Sequence, residues 1–321
     1  MCKVSIVLAT YNGEVYIEEQ LKSLMYQTMS ADEVLISDDC SNDNTVAIIN
    51  KFINENELKN WKIYTHSKNQ GWRKNFYDLL HKASGDVIFM CDQDDIWRKE
   101  KIEVMYRAVL NNPEILCLVG NYVEIDGEGT YLSDVTGESA DFAHIEKVMY
   151  KPNFYRNVYL GCTMCITRTM LDIYRKFDVD FVAHDTVCSQ IALLKNGLFY
   201  MPYLTIEHRL HGNNTTCIKS GNNAGNSNFE SRVAGLISDV RYFQKLSTQP
   251  FITDNIRKDI VEFIECQKIR YNFCTKRNLL DFVMEIRFIP KVLPFSKWIG
   301  DLAYTFGIHK TMGKISRFIK R

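Results

Sequence analysis

The stretch Asp86-Val87-Ile88-Phe89-Met90-Cys91-Asp92-Gln93-Asp94-Asp95 decides how the first half of this chain is read. Asp86 to Met90 is a short apolar run behind a single acid, the pattern of a strand buried on both faces. Three carboxylates, Asp92, Asp94 and Asp95, then arrive where that strand must end. An acidic D-x-D-D cluster at the C-terminal edge of a strand can hold a hard divalent cation, which takes oxygen ligands and in turn grips a diphosphate. D-x-D alone also describes a solvated acidic turn. The strand in front of it, and a second acidic turn upstream, favour the ligand reading.

Working outward, Val4 to Ala9 reads as a first strand and Thr10-Tyr11-Asn12-Gly13 as a turn, with apolar residues at helical spacing from Glu14 to Gln27. Glu33 to Ser37 is a second strand. It ends in Asp38-Asp39-Cys40-Ser41-Asn42-Asp43-Asn44-Thr45, a run of turn and cap residues before another helix. Trp61 to Thr65 is a third strand and Gly71 to Lys82 a third helix. This alternation predicts βαβ units and a mostly parallel sheet, in which ligands bind at the carboxyl ends of strands. Polar groups fall at such ends after Ala9, Ser37 and Cys91. Further on, Ile115 to Val119, Tyr122 to Ile125, Tyr159 to Thr167 and Leu204 to Leu210 read as strands. Arg168 to Lys176 and His184 to Leu194 read as helices. Asp126 to Tyr150 is polar and loop-rich, and Asn213 to Asn228 is biased toward Asn, Gly and Ser as in a mobile connection. From Phe229 onward the periods are helical only.

At 321 residues the chain has material for one large domain or two. Its net charge is zero, which names no partner and gives no support to nucleic-acid binding. From Lys276 to Arg321, however, ten Lys/Arg stand against Asp281, Glu285 and Asp301, a net +7. The ten cysteines are scattered, several inside apolar runs, and read as reduced thiols of a cytosolic protein. Cys162-x-x-Cys165 has metal spacing but no second pair, so a structural role is expected. Val4 to Ala9 is too short for a signal peptide, and no apolar stretch is long enough to predict a spanning helix.

The residues in order resemble family 2 glycosyltransferases. Val4 to Gly13 is similar to that family's opening strand and turn, and Ile36-Ser37-Asp38-Asp39-Cys40-Ser41-Asn42-Asp43 to its V-D-D-x-S-x-D signature. Asn69-x-Gly71-x-x-x-Asn75 resembles its N-x-G segment and Asp92-Gln93-Asp94 its D-x-D. The resemblance implies a GT-A fold: a Rossmann-like sheet with flanking helices, here over residues 1–215, followed by a mobile loop and a helical C-terminal region over 216–321. It implies a metal-dependent, inverting sugar transfer from a nucleoside diphosphate. The context of Gln93 and Trp97, with His184-Asp185 and Arg209-x-His211-Gly212-Asn213-Asn214, most resembles bacterial rhamnosyltransferase-like members, which build O-antigen or capsule. That finer likeness implies a dTDP- or UDP-linked donor and a glycan or lipid-linked acceptor at the inner membrane surface.

Sugar transfer needs a neutralised leaving diphosphate, an acceptor hydroxyl relieved of its proton, and the two held in line. Asp94, with Asp92 or Asp95 assisting, is expected to ligate Mg²⁺ or Mn²⁺; the resemblance implies Asp94 on the metal and a ribose or water-mediated role for Asp92. Asp38 or Asp39 can accept from a pyrimidine N–H and a ribose hydroxyl, as carboxylates that only accept. The competing reading is a capping pair for the next helix. Thr10 and Tyr11 are expected to frame the base, with Asn12 and Asn69 in the same donor site, and Arg73 and Lys74 near the diphosphate. An exposed basic helix face would explain the last two equally. Asp185 is the expected general base, against a plain N-cap. His208, Arg209 and His211 form a polar knot at a strand end. Either imidazole could complete the metal shell, while Arg209 could clamp phosphate oxygens.

No G-x-x-x-x-G-K-[ST] or G-x-G-x-x-G occurs, so P-loop and Rossmann dehydrogenase chemistry are not expected. A sugar nucleotidyltransferase would want a Gly-rich basic loop after the first strand, which Thr10 to Glu14 does not supply. A nucleotide-sugar binding module without turnover could dispense with Asp185 or the D-x-D, and this chain keeps both. Phe288 to Arg321 mixes Lys/Arg with Trp298, Phe306 and Phe318, the composition of a basic amphipathic tail lying on an anionic membrane or of a packing helix with a solvated face. The lipid-linked acceptor that the resemblance implies favours the first, a cytoplasmic protein peripheral on the inner face of the membrane.

Overall fold

The computed structural model describes residues 2–133, 144–157, 159–212 and 229–307. The expected loop at Asn213 to Asn228, part of the Asp126 to Tyr150 segment and the end of the basic tail, Phe318 included, lie outside these residues. The chain divides into two compact units, Met1–Tyr150 with Val158–Asn214, and Lys151–Asn157 with Thr215–Arg321.

The first unit is built on a mixed sheet. β1 (Val4–Thr10), β2 (Glu33–Asp38), β3 (Trp61–Thr65) and β4 (Val87–Cys91) are parallel, in the order β3-β2-β1-β4. Every residue of β1 and of β4 is buried, which is why β4 reads as an unbroken apolar run and β1 as one interrupted only by Ser5 before it ends at Thr10. The crossovers are α1 (Ile17–Met25), α2 (Thr45–Glu55) and α3 (Trp72–Lys82). The chain winds outward from β1 through β2 to β3 and then returns to place β4 on the other side of β1. The strand order therefore switches between β1 and β4, and the crevice at such a switch point is where ligands of open α/β sheets bind.

Beyond β4 the sheet changes character. A two-residue strand β5 (Ile96–Trp97) is followed by α4 (Lys101–Asn111), β6 (Cys117–Ile125), β7 (Glu146–Lys147), β8 (Met164–Thr167), α5 (Arg168–Phe177), α6 (His184–Leu194) and β9 (Leu198–Arg209). β8 lies antiparallel between β4 and β6, β9 runs parallel to β6, and β5 and β7 pair antiparallel with β9. The strands expected at Ile115 to Val119 and Tyr122 to Ile125 are one strand, β6, with register shifts around Gly120 and Asn121. The strand expected from Tyr159 begins only at Met164, because Gly161–Thr163 is a 3₁₀ turn.

The second unit is helical: α7 (Phe229–Ser247), α8 (Asp254–Lys276), α9 (Leu279–Met284) with a 3₁₀ turn over Glu285–Phe288, and α10 (Phe295–Thr305). Leu236, Phe273 and Cys274 centre one core cluster. The short 3₁₀ turn Phe154–Arg156 belongs here too, with the Tyr155 ring 4.2 Å from that of Phe263 and Arg156 Nη2 donating to Pro290 O at 2.6 Å. No helix among the described residues is long and apolar enough to cross a membrane.

Candidate active site

The register of β5 on β9 builds the site. Ile96 pairs with Glu207 and Trp97 with Ile206, so the residues just before β5 must lie beside those that end β9. Asp95 Oδ1 accepts from His208 Nδ1 at 2.8 Å and from Arg209 N at 3.1 Å. One turn further out, Asp94 Oδ2 and His211 Nε2 are 2.8 Å apart, with side chains 13% and 14% exposed. Burial opposes charge on Asp95, but the hydrogen bond and charge of His208 outweigh it and hold the carboxyl below its usual range. Burial likewise opposes charge on His208, yet Asp95, with Asp92 and Asp94 behind it, raises the imidazole to about 9. The inner pair is thus an imidazolium–carboxylate pair at neutral pH. Asp92 goes the other way: burial first, then the charges of Asp95 and Asp94, push it well above the carboxylate range, and Asp185 adds to that push.

Arg209 is a bracket. Its side chain is buried, with Nε donating to Asp94 O at 2.9 Å, Nη1 to Asp126 O and Gly127 O at 3.3 and 3.1 Å, and Nη2 to Glu19 Oε2 at 2.5 Å. Its guanidinium lies 4.8 Å from the centre of the Tyr16 ring, which also stacks on His211 at 4.9 Å. Tyr16 and Glu19 went unread in the sequence, since nothing in their local pattern distinguishes them from an ordinary helix face.

The turns after β1, β2 and β4 are stitched together. Gln93 clamps the Tyr11 backbone, accepting from Tyr11 N at 2.8 Å and donating to Tyr11 O at 3.0 Å. A Cβ on Gly13 would meet Gln93 Oε1 at 2.4 Å, so a larger residue there would push the Gln93 amide off the Tyr11 backbone. Asn12, at φ 48°, accepts from Asn42 N at 2.9 Å through its side chain, and its own N–H donates to Ser41 Oγ at 2.8 Å. Asp38 takes Thr10 Oγ1 at 3.0 Å, Ser41 N at 2.8 Å and Ser41 Oγ at 2.5 Å. Asp39 takes the backbone N–H groups of Gln70 and Gly71 at 2.8 and 2.7 Å. Neither aspartate occupies the cap position of α2, which is Asn44. Asn69 Oδ1 also accepts from Gly71 N, at 3.0 Å, and Asn75 Nδ2 donates to Ser37 O at 2.8 Å, fixing the start of α3 against the end of β2. Arg73 is exposed above the ring of its neighbour Trp72, at 4.5 Å, and Lys74 pairs with Asp78 along the same helix.

Asp185 lies in the first turn of α6, whose N-cap is Ala183, so it is not the capping residue. Its Oδ1 accepts from Thr186 N at 2.5 Å. A 3₁₀ turn connects it to the acidic cluster. A Cβ on Gly161 would lie 2.5 Å from His184 Nε2 and 3.5 Å from Asp185 Cβ, so only glycine lets the turn pass. The next residue, Cys162, brings its Sγ within 4.8 Å of the Asp95 and His208 ligand atoms. That trio is a poor cation site, because the buried Lys101 ammonium donates to Cys162 O beside it. Asp94 and His211 are better placed: a carboxylate oxygen and an imidazole nitrogen converge at the edge of the cluster, a donor pair that suits Mn²⁺ or, with more water, Mg²⁺.

The chain is similar to dTDP-rhamnosyl transferase RfbG of Shigella flexneri, at 32% identity over 64% of this chain and 72% of that protein. It is also similar to UDP-Glc:alpha-D-GlcNAc-diphosphoundecaprenol beta-1,3-glucosyltransferase WfgD of Escherichia coli, at 29% identity over 60% of this chain and 70% of that protein. Among solved structures, TarS of Staphylococcus aureus in complex with UDP-GlcNAc superposes with a TM-score of 0.62 at 18% identity, over 93% of this chain and 81% of that one. The mannosyltransferase PcManGT of Pyrobaculum calidifontis, in complex with GDP-Man and Mn²⁺, gives 0.51 at 14% identity, over 99% of this chain and 84% of that one. The glycosyl transferase family 2 model matches residues 5–176, more than half of the sequence, and with the mixed sheet and its strand-end carboxylates this places the chain in glycosyl transferase family 2, as a glycosyltransferase of GT-A fold.

Proposed function

We propose that the protein transfers a sugar, with inversion, from a dTDP- or UDP-linked donor to a glycan acceptor, lipid-linked and presented at the inner face of the bacterial membrane, in the synthesis of a surface polysaccharide. The observation that carries this reading is the meeting of Asp94 with His211 just beyond the C-terminal end of β4, one of the two strands between which the order switches. Asp94 and His211 would hold a divalent cation, which when bound neutralises the charge that develops on the leaving diphosphate. The chain's own groups supply the rest. Asp38 and Asp39, with Thr10, Tyr11 and Asn12, form one wall of the crevice where the base and ribose would lie. Their carboxylates already order that wall through Thr10, Ser41, Gln70 and Gly71; Asp38 Oδ1 accepts two of these bonds, while Asp38 Oδ2 and both Asp39 oxygens accept one each and have a further lone pair. Asp92, two residues before Asp94, would lie beside the cation and the donor ribose. Asp185 would take the proton of the acceptor hydroxyl. Arg209, as a bracket, would hold the Asp94 backbone and His211's neighbour Tyr16 in place.

The relatives named for dTDP-rhamnose and for UDP-glucose transfer support both donor classes. The test is hydrolysis and transfer with a panel of nucleotide sugars, with and without Mn²⁺. Turnover of one dTDP- or UDP-sugar that stops in EDTA is expected. Binding without any turnover across acceptors would favour a nucleotide-sugar binding module instead.

A further inference from the structure

From Leu279 to Phe288 the chain forms α9 and its 3₁₀ extension, and the two faces of this segment are unusual. Phe282, Glu285 and Phe288, three residues apart, face the helical unit. Glu285 and Phe288 are buried, and the Phe282 ring stacks on Trp298 at 4.4 Å. The opposite face carries Leu279, Leu280, Val283, Met284 and Ile286, which are between 45% and 72% exposed. An ordinary amphipathic helix in water shows polar residues there. Phe295, 61% exposed, extends the patch, its ring 5.5 Å from that of Trp298. A contiguous exposed apolar surface of this kind marks an interaction site.

The charges around it say what sort. Lys276 and Arg277, both exposed, stand directly before α9. Of the nearby acids, Glu262 and Glu265 of α8 are taken up by Lys291 and Arg287, and Asp281 of α9 is part-buried on the inward side, four residues before Glu285. Beyond Gly307 the sequence adds Lys310, Lys314, Arg317, Lys320 and Arg321 with no acidic residue. Large aliphatic side chains rimmed by cations fit the interface of an anionic bilayer, where the side chains enter the headgroup–acyl boundary and the cations meet lipid phosphates. Two copies packed through this face would instead bring their cations together.

We infer that the outward face of Leu279–Ile286, with Phe295, is a membrane-docking surface for anionic phospholipid. This deepens the peripheral-membrane element of the proposed function and gives it a different insertion element from the one the sequence suggested. Trp298 is not part of it: its ring is stacked against Phe282 and its Nε1 donates to Phe282 O at 3.1 Å.

The test is co-sedimentation of the full chain with phosphatidylcholine vesicles, with and without phosphatidylglycerol, at low and high salt and with no sugar nucleotide present, so that failure leaves the sugar-transfer reading standing. Wild type should bind the phosphatidylglycerol vesicles, with a part of the binding that survives salt. The double substitution Leu280→Glu/Val283→Glu should lower partitioning by about tenfold or more, since it removes two inserting side chains. Phe295→Ser, a milder change, should lower it less and guards against misfolding of the double variant. Wild-type-like binding by both variants, or no binding of wild type to phosphatidylglycerol vesicles at low salt, would overturn the inference. So would a wild-type dimer that Leu280→Glu dissociates while vesicles are ignored, which would make the face a contact between copies.

Discussion

Asp94 and His211 are 117 residues apart in sequence, and their side chains meet at 2.8 Å. The contact follows from the antiparallel register of a two-residue strand, Ile96–Trp97, on the end of β9. Because these two side chains meet without help from a ligand, a divalent cation held between them would only have to replace the proton they share. Asp94→Asn should therefore lower turnover by about 10²–10³, the loss seen when one preorganised electrostatic contact to a transition state is removed. His211→Ala should be milder and recover at higher Mn²⁺. Initial rates across a Mn²⁺ titration, with UDP calorimetry in the presence and absence of EDTA, separate the two. Full activity of wild type in EDTA would end the assignment.

Asp185 stands in the first turn of α6 rather than at its cap, so removing its charge should leave the helix intact. Asp185→Asn is expected to reduce kcat by about 10²–10⁴ with donor affinity near wild type, the signature of a group that acts only in the transition state. A parallel loss of donor binding and thermal stability would mark it as a structural residue.

Asp38 and Asp39 each bind donors of their own chain, so their substitution should be felt twice. Asp38→Ala strands Thr10 and Ser41, and Asp39→Ala strands the N–H groups of Gln70 and Gly71. Each variant should lose about 1–3 kcal/mol of stability, the usual result of leaving a buried hydrogen-bonding group unpaired. Each should also weaken UDP or dTDP binding. Calorimetry showing nucleotide affinity unchanged in both would move the base to another wall of the crevice.

The parallel core was readable because β4 is apolar throughout and β1 is apolar but for Ser5 and its last residue Thr10, a pattern with few alternatives when turn residues bound it. The acidic cluster and Asp185 stood out for the same reason, at clear element ends. What joins them did not. A strand of two residues has no period, so the β5–β9 pairing that brings Asp95 to His208 left no local trace. Helix α4 was missed altogether. Ile102, Val104, Met105, Tyr106 and Ala108 are all buried, so the helix is covered on more than one side and shows no clean stripe. Its first residue, Lys101, is fully buried over the Trp97 ring at 3.6 Å, in a place where lysine ordinarily signals solvent. Arg209 was legible as important, but whether it meets phosphate or holds carbonyls depends on contacts 82 to 190 residues away.

In the helical unit, Asp301 is fully buried between two arginines, accepting from Arg232 Nε at 2.6 Å and from Arg270 Nε at 2.7 Å. Asp301→Asn would leave two guanidinium groups facing a neutral partner inside the unit. Breaking a buried pair from one side costs about 3–5 kcal/mol, so this substitution should rank among the most destabilising in the chain. Denaturant unfolding checks it, and a loss below 1 kcal/mol would mean that solvent reaches the network.

Glu285 borders the same network and gives it a pH dependence. The residue is fully buried and neither carboxyl oxygen has a hydrogen-bond partner among the described residues. Burial, with the charge of Asp301 added, raises it from 4.5 to about 8, against the pull of Arg270 and Arg232. Over that interval the folded chain keeps a proton that the unfolded chain has released. Linkage then makes stability fall as pH rises from the ordinary carboxyl value toward the raised one, with no further change from this group above it. Glu285→Gln keeps the shape and removes the proton. Its melting temperature should match wild type near pH 4.5 and exceed it by a margin that widens up to about pH 8. A margin that stays constant across that range would show that Glu285 is ionised in the folded protein, paired with an arginine, and that the buried network carries a full charge balance at neutral pH.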